Sequence, residues 1–310
     1  MGEGAPRFGL IGTGVWAGAV HAPAAKANDA VAFVSVLARS APAAEAFAAR
    51  FDVTGYADIE AFFDSVDIVG ICVPPAAQPG LAMAAARAGK PAVLEKPLAL
   101  DAREADAVAA AFEARGLPAL MFFPQLWVPR VRAWADHAAN MGGWIAARID
   151  SYSRVLTDPA NAYHQTRWRH AAGALWDTGP HNVALLLTVL GEVVEIVATR
   201  GQGDLKVVTL THRSGAVSTL TLAMDAPAPL QGETALFGAA GKHVLPPGTD
   251  WNADASTAYG EVLRVIAAAA GGGAAASPDV RFGAAVTRII AAAERSLAAG
   301  GRITLGADLN

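Results

Sequence analysis

Two hydrophobic rhythms alternate through the first 123 residues. Short, continuous apolar runs at Arg7–Ile11, Val31–Leu37, Val66–Val73, Ala92–Leu94 and Ala119–Phe123 lack the in–out alternation of a half-exposed strand. Runs of this kind read as strands buried on both faces. Between them, Ala41–Arg50, Ile59–Phe63, Gln78–Ala88 and Ala102–Arg115 are helical in composition, and Gly89 and Gly116 sit where left-handed helix ends are expected. Val53–Tyr56 reads as a link. This β–α alternation predicts a parallel, doubly wound sheet over residues 1–123.

Beyond Phe123 the pattern changes. Arg130–Asn140 is helical, Ile145–Arg154 a strand, and Leu175–Leu190 a strongly apolar helix. Four alternating segments follow, at Val193–Thr199, Leu205–His212, Ala216–Met224 and Thr234–Phe237, with turn residues such as Ser214-Gly215 between them. They predict an antiparallel meander. Helices at Tyr259–Ala269 and Gly283–Ala299 flank an Ala/Gly-rich joint at Ala268–Ala276, read as a flexible loop. Residues 124–310 therefore form a second α/β domain with an open, largely antiparallel sheet.

Length and composition narrow the function. A chain of 310 residues exceeds the usual single core. Its 53% hydrophobic content and mean hydropathy of +0.32 owe much to alanine, and no apolar run reaches the ~18 residues of a membrane helix. Four glycines interrupt Phe8–Val20, which argues against a secretory leader. A net charge of −4 leaves no basic footprint for nucleic acid. The single cysteine, Cys72, lies in an apolar run as a buried free thiol, and no Cys/His cluster has metal-ligand spacing. The expectation is a cytoplasmic, soluble, two-domain α/β protein with no nucleic acid or membrane partner and no metal.

Three stretches carry chemistry. Gly12-Thr13-Gly14-Val15-Trp16-Ala17 is a GxGxxA dinucleotide fingerprint between a strand and a helix. Gly12 permits the tight turn, Gly14 lets backbone N–H groups approach a pyrophosphate, and Ala17 lets helix and strand pack closely. At the end of the second strand an NAD site wants a carboxylate, but Ala38-Arg39-Ser40 stands there. A guanidinium and a hydroxyl suit a 2′-phosphate, so NADP is expected, with NAD the alternative. Arg39 equally fits a solvated loop residue or one stacked on adenine. The Ala92–Leu94 strand ends in Glu95-Lys96-Pro97, where a lysine at the carboxyl edge of a parallel sheet can reach a ligand. In Gly173-Ala-Leu-Trp-Asp177-Thr-Gly-Pro-His181, Asp177 and His181 lie four apart and share a face if the helix has begun by Asp177. They suit substrate binding and proton transfer; an N-cap Asp177 and a packed His181 would fit the same pattern. The 158–172 segment reads as a polar, aromatic loop that could line a ligand site.

Taken together, GxGxxA at 12–17, EKP at 95–97 and GxLxDxGxH at 173–181 resemble the glucose–fructose oxidoreductase / inositol dehydrogenase / rhizopine-catabolism (Gfo/Idh/MocA) family over essentially the whole chain. The resemblance implies an N-terminal Rossmann domain, and a C-terminal α/β domain whose open sheet buries a homodimer or homotetramer interface. It also implies hydride transfer at a secondary alcohol of a sugar, inositol or polyol. By position, Lys96 would bind the reacting hydroxyl, Asp177 would position substrate, and His181 would be the general acid/base. The dinucleotide would be held by Gly12, Thr13, Gly14, Val15, Trp16, Arg39, Ser40, Val73, Pro74, Glu95 and Lys96. Substrate would meet Lys96, Tyr163, Arg167, Trp168, Asp177 and His181. Pro75, Gln78, Pro124 and Ala184 depart from the family's pattern, as does the single glycine in Ala172-Gly173-Ala174. Pro75, Gln78 and Ala184 keep a dinucleotide-binding sensor in view as an alternative, and the resemblance to family members that cleave glycosidic bonds adds an NAD-dependent glycosidase.

Overall fold

A computed structural model describes residues 4–248, 251–274 and 276–306. The chain divides into two compact units, the first Met1–Val128 with Gly248–Ala284, the second Pro129–Pro247 with Ala285–Asn310.

The first unit runs β1 (Arg7–Ile11), a π-turn (Ala17–His21), α1 (Ala22–Lys26), β2 (Ala32–Leu37), α2 (Ala41–Ala48), β3 (Thr54–Tyr56) and α3 (Ile59–Asp64). It continues β4 (Ile68–Ile71), α4 (Gln78–Arg87), β5 (Ala92–Glu95), α5 (Ala102–Glu113), β6 (Ala119–Phe122) and α6 (Pro124–Trp127). The six strands are all parallel, in the order β3-β2-β1-β4-β5-β6. Chain order reverses between β1 and β4, the position where doubly wound sheets bind ligands beyond their carboxyl ends. Every residue of β4, β5 and β6 is buried, as expected of parallel strands covered on both faces. The link at Val53–Tyr56 is instead the edge strand β3, paired with β2 through Ser35–Leu37; three residues are too few to show a period.

The second unit runs α7 (Pro129–Met141), β7 (Trp144–Tyr152), α8 (Arg167–Asp177), α9 (Gly179–Leu190), β8 (Val193–Arg200), β9 (Lys206–His212) and β10 (Val217–Ala223). Then come β11 (Thr234–Gly238) and β12 (Gly241–Val244). After α10 (Trp251–Ala270), α11 (Val280–Ala299) crosses the boundary and leads to β13 (Ile303–Thr304). The seven strands are ordered β12-β11-β7-β10-β9-β8-β13, antiparallel except where β10 lies parallel to β7. One face is covered by α8, α9 and the later part of α11, with Ile290 against Gly179 and Ser296 Oγ bonding Ala198 N–H at 2.8 Å. On the other, Val197, Val207 and Val217 are each about 40% exposed.

Three sequence expectations shift. The 158–172 loop becomes helical at Arg167. Of the Ala268–Ala276 joint, Gly271-Gly272 forms a turn and Ala275 lies outside the described residues. The sequence boundary near Phe123 moves to Val128, and Gly248–Ala284 returns to the first unit. α10 explains that return. Its buried residues Ala255, Ala258, Tyr259, Val262, Leu263 and Ile266 make one apolar stripe that packs on α1, α6, β5 and β6.

Candidate active site

At the β1 carboxyl end, Gly12 has a φ of +113°, and a Cβ there would lie 2.1 Å from the Cys72 carbonyl oxygen. Only glycine fits. Gly12 N–H bonds Leu37 O at 2.9 Å and Cys72 N–H bonds Ile11 O at 2.8 Å, tying the turn to both neighbouring strands. A Cβ on Gly14 would meet nothing within 4 Å, so the backbone there is open to a bulky anion. This is a cradle that fits a dinucleotide pyrophosphate. Thr13, Gly14, Val15, Gly18, Ala19 and Arg50 line an open cleft of about 400 Å³. Arg50 stands over the rings of Phe47 and Phe51, 5.2 Å from each centroid. Beyond β2, Arg39 and Ser40 are exposed, and Ser40 heads α2 in extended conformation without a side-chain cap bond. Val73 is half-buried and Pro74 exposed after β4.

The turn after β5 is held from below by Gln78, which is fully buried. Its Nε2 donates to Glu95 O at 2.6 Å, Pro97 O at 3.0 Å and Leu98 O at 3.2 Å, while its Oε1 accepts Glu95 N–H at 2.9 Å. One side chain thus satisfies the backbone groups on both sides of Lys96, which is half-buried. Glu95 is 7% exposed and turns inward. Its Oε1 accepts the Trp16 indole N–H at 2.7 Å and lies 2.7 Å from His21 Nε2. Donor atoms of His21, Cys72 and Glu95 lie within 4.8 Å of one another, a grouping that sequence spacing could not show. A metal there would have to displace the hydrogen bonds already on Oε1.

In the second unit, α8 breaks at Gly173, whose φ is +65°. Asp204 secures the break, its Oδ2 accepting Ala174 N–H at 2.9 Å and Met224 N–H at 3.1 Å while Lys206 Nζ lies 3.2 Å from Oδ1. The chain then stays helical from Ala174 through Thr178 into α9, with Pro180 in the first turn. Asp177 and His181 therefore share a helical face, and Asp177 is not a cap. Arg169 Nε donates to Asp177 Oδ2 at 2.7 Å, and both side chains are largely buried. The Arg169 guanidinium lies 4.6 Å from the Trp168 ring centroid and 4.8 Å from that of Tyr163. Arg167 is exposed at the start of α8.

The structure thus gathers Gly12–Trp16, Glu95 and Lys96 within the first unit, and Tyr163, Trp168, Asp177 and His181 within the second. The site list from sequence omitted Arg169, Asp204 and His21, and counted Gln78 only as a departure. Arg169 was legible as one of the polar and aromatic groups of the 158–172 segment, but not as the partner of Asp177. Asp204 had no local signal, because its role depends on how β9 and β10 flank the Gly173 break.

Comparison with known proteins agrees with both units. The family described as "Oxidoreductase family, NAD-binding Rossmann fold" (GFO_IDH_MocA) matches residues 6–123, and that described as "GFO/IDH/MocA C-terminal domain" matches residues 142–244. An uncharacterised Saccharomyces cerevisiae protein is 27% identical over 67% of this chain, which spans 60% of that protein's length. The dTDP-3,4-didehydro-2,6-dideoxy-alpha-D-glucose 3-reductase of Actinomadura kijaniata is 30% identical over 71% of this chain and 68% of its own. Among solved structures, GenD2 from gentamicin A biosynthesis, in complex with NAD, superposes with a TM-score of 0.86 over 98% of this chain and 97% of its own. At 22% identity that likeness is one of fold.

Proposed function

Because the chain belongs to the Gfo/Idh/MocA oxidoreductase family, we propose that it transfers a hydride between a nicotinamide dinucleotide and a secondary alcohol or ketone of a sugar, inositol or related polyol. The observation that carries this reading is the helical turn holding Asp177 and His181 on one face with Arg169 on the Asp177 carboxylate. The Actinomadura relative, named a sugar-nucleotide 3-reductase, supports the substrate class.

The bound nicotinamide supplies the hydride donor or acceptor. The residues supply the rest. The Lys96 ammonium donates to the reacting oxygen and favours its alkoxide-like form. The His181 imidazole takes or returns the hydroxyl proton. Asp177, held by an arginine donating to Oδ2, orients a substrate hydroxyl, and Trp168 and Tyr163, packed against that arginine, border the substrate's C–H surface. Exposed Arg39 and Ser40, with no acid after β2, favour NADP over NAD. The exposed valines of the second sheet favour a homo-oligomer.

Titration of dinucleotide-stripped protein with NADPH and NADH, followed by tryptophan quenching, tests the cofactor; tighter NADPH binding is expected. A polyol panel with NADP then tests the reaction. Lys96→Ala should lower kcat by about 10²–10³-fold, and full turnover by that variant would overturn the assignment.

A further inference from the structure

Glu95 belongs by sequence to the lysine turn, but its carboxylate works inside the protein. Both oxygens are engaged: Oε1 by Trp16 and His21 at 2.7 Å each, and Oε2 by the backbone N–H of Lys96 at 3.1 Å. Trp16 belongs to the glycine turn, so a single carboxylate joins the two loops. His21 reaches it because residues 17–21 form a π-turn, whose extra residue per turn advances the side chain inward. The imidazole is 1% exposed, lies 3.9 Å from the Tyr259 ring centroid, and meets Phe122 edge-on at 5.4 Å. Burial, then Cys72 and Glu95, push the Tyr259 phenol well above its usual pKa, and its hydroxyl has no hydrogen-bond partner among the described residues. The groups facing the carboxylate are thus Trp16, His21, Cys72, Tyr259 and its own neighbour Lys96.

We infer that Glu95, held by Trp16 and His21, is a positioning residue that fixes the Lys96 turn against the glycine turn, and is not a ligand of the dinucleotide. Accepting the N–H of the next residue sets the backbone between Glu95 and Lys96, and so the direction in which the lysine leaves the chain. Gln78 holds the surrounding carbonyls, which leaves the Glu95 side chain as the adjustable member. Substitution there changes Lys96 without removing any group that a dinucleotide touches. What the positioning serves rests on the role proposed above for Lys96; the positioning itself does not.

The test needs no substrate. Trace acetylation with acetic anhydride across pH, read by peptide mass spectrometry, gives a reactivity profile for Lys96 with Lys26, Lys90, Lys206 and Lys242 as internal references. Glu95→Gln replaces the carboxylate that accepts the Lys96 backbone N–H with little change of shape. It should change Lys96 labelling relative to the reference lysines by about threefold or more, because the lysine leaves the chain in a new direction. His21→Asn should also displace that profile, with the reference lysines unchanged. NADPH and NADH dissociation constants of Glu95→Gln should stay within about twofold of the parent. Near-UV circular dichroism establishes that each variant is folded, and Glu95→Gln stands alone if His21→Asn is not. A Lys96 profile that superimposes on the parent's in folded Glu95→Gln overturns the inference. So does an unchanged profile with dinucleotide affinity weakened about tenfold, which would make Glu95 a ligand. Full turnover by Lys96→Ala would instead remove the catalytic role and leave the labelling result standing.

Discussion

At Gly173 the backbone sets the geometry of the second unit's site. Its φ of +65° disfavours any side chain, and a Cβ would lie 2.3 Å from Asp204 Oδ1, the carboxylate that holds the break. Gly89 has a similar φ of +70° but nothing within 4 Å. Gly89→Ala should cost about 1 kcal/mol from conformation alone, and Gly173→Ala about 2–3 kcal/mol or more, with lowered activity. Denaturation of the two variants checks this; equal losses would mean that Asp204 yields freely. The two arginines of α8 separate in the same way. Arg169→Gln should lower kcat/KM by about tenfold or more, because it strips Asp177 of a largely buried partner. Arg167, which the family resemblance places against substrate, is exposed, and Arg167→Gln should lower kcat/KM less than Arg169→Gln does. His212 gives a pH signature. Its imidazole is buried between Gly191 O and Ser218 Oγ, both at 2.9 Å, and burial lowers its pKa. A lowered folded pKa means that the unfolded chain binds the proton first. The contribution is complete above the unfolded value of about 6.5 and is lost as pH falls below it toward the folded pKa. Melting temperatures of the parent should therefore fall more steeply between about pH 6.5 and 5 than those of His212→Asn.

Among the elements, the turn after β5 shows how a departure from pattern can be structural. Gln78 stands where the family resemblance leads one to expect a different polar residue, and it makes four backbone hydrogen bonds around Lys96. Gln78→Leu keeps the volume but leaves one N–H and three carbonyls without that partner. It should destabilise the first unit by about 3 kcal/mol or more and depress turnover beyond what stability explains, measured by urea denaturation beside kinetics at a temperature where both proteins are folded. The strands of the first sheet were legible because continuous apolar runs of that length have one stable solution, burial in a parallel sheet. The same local reading found the helices and the Asp177–His181 spacing. It missed β3, too short to show a period. It assigned α10 to the second domain because an amphipathic stripe reveals a helix but not the sheet that covers it. The parallel β7–β10 pair, joined through two intervening helices and strands, and the inward turn of Glu95 are likewise set by tertiary packing.

For the molecule as a whole, the open face of the second sheet asks for a partner. Three cross-strand rows cover it: Glu195, Thr211, Val217 and Ala146; Val197, Thr209, Thr219 and Arg148; and Thr199, Val207, Thr221 and Asp150. Valine and threonine dominate its centre, while charge lies toward β7, where Arg148 pairs with Asp150 at 3.2 Å and Glu233 at 2.7 Å. A β-branched centre with a charged border is the composition of an interface more than of a solvated sheet. A second copy of the chain can bury such a face by apposing the same rows, as two-fold symmetry requires. Val207→Glu and Val217→Glu each place a charge at that centre without disturbing the covered face. Sedimentation equilibrium should find the parent oligomeric and the double variant shifted to monomer, the loss of each buried valine adding to the cost of an unpaired carboxylate. Dinucleotide affinity should persist in the monomer, since the glycine turn, Arg39 and the Lys96 turn all belong to the first unit. A parent that sediments as a monomer, or a double variant that stays fully associated, would assign this face another role.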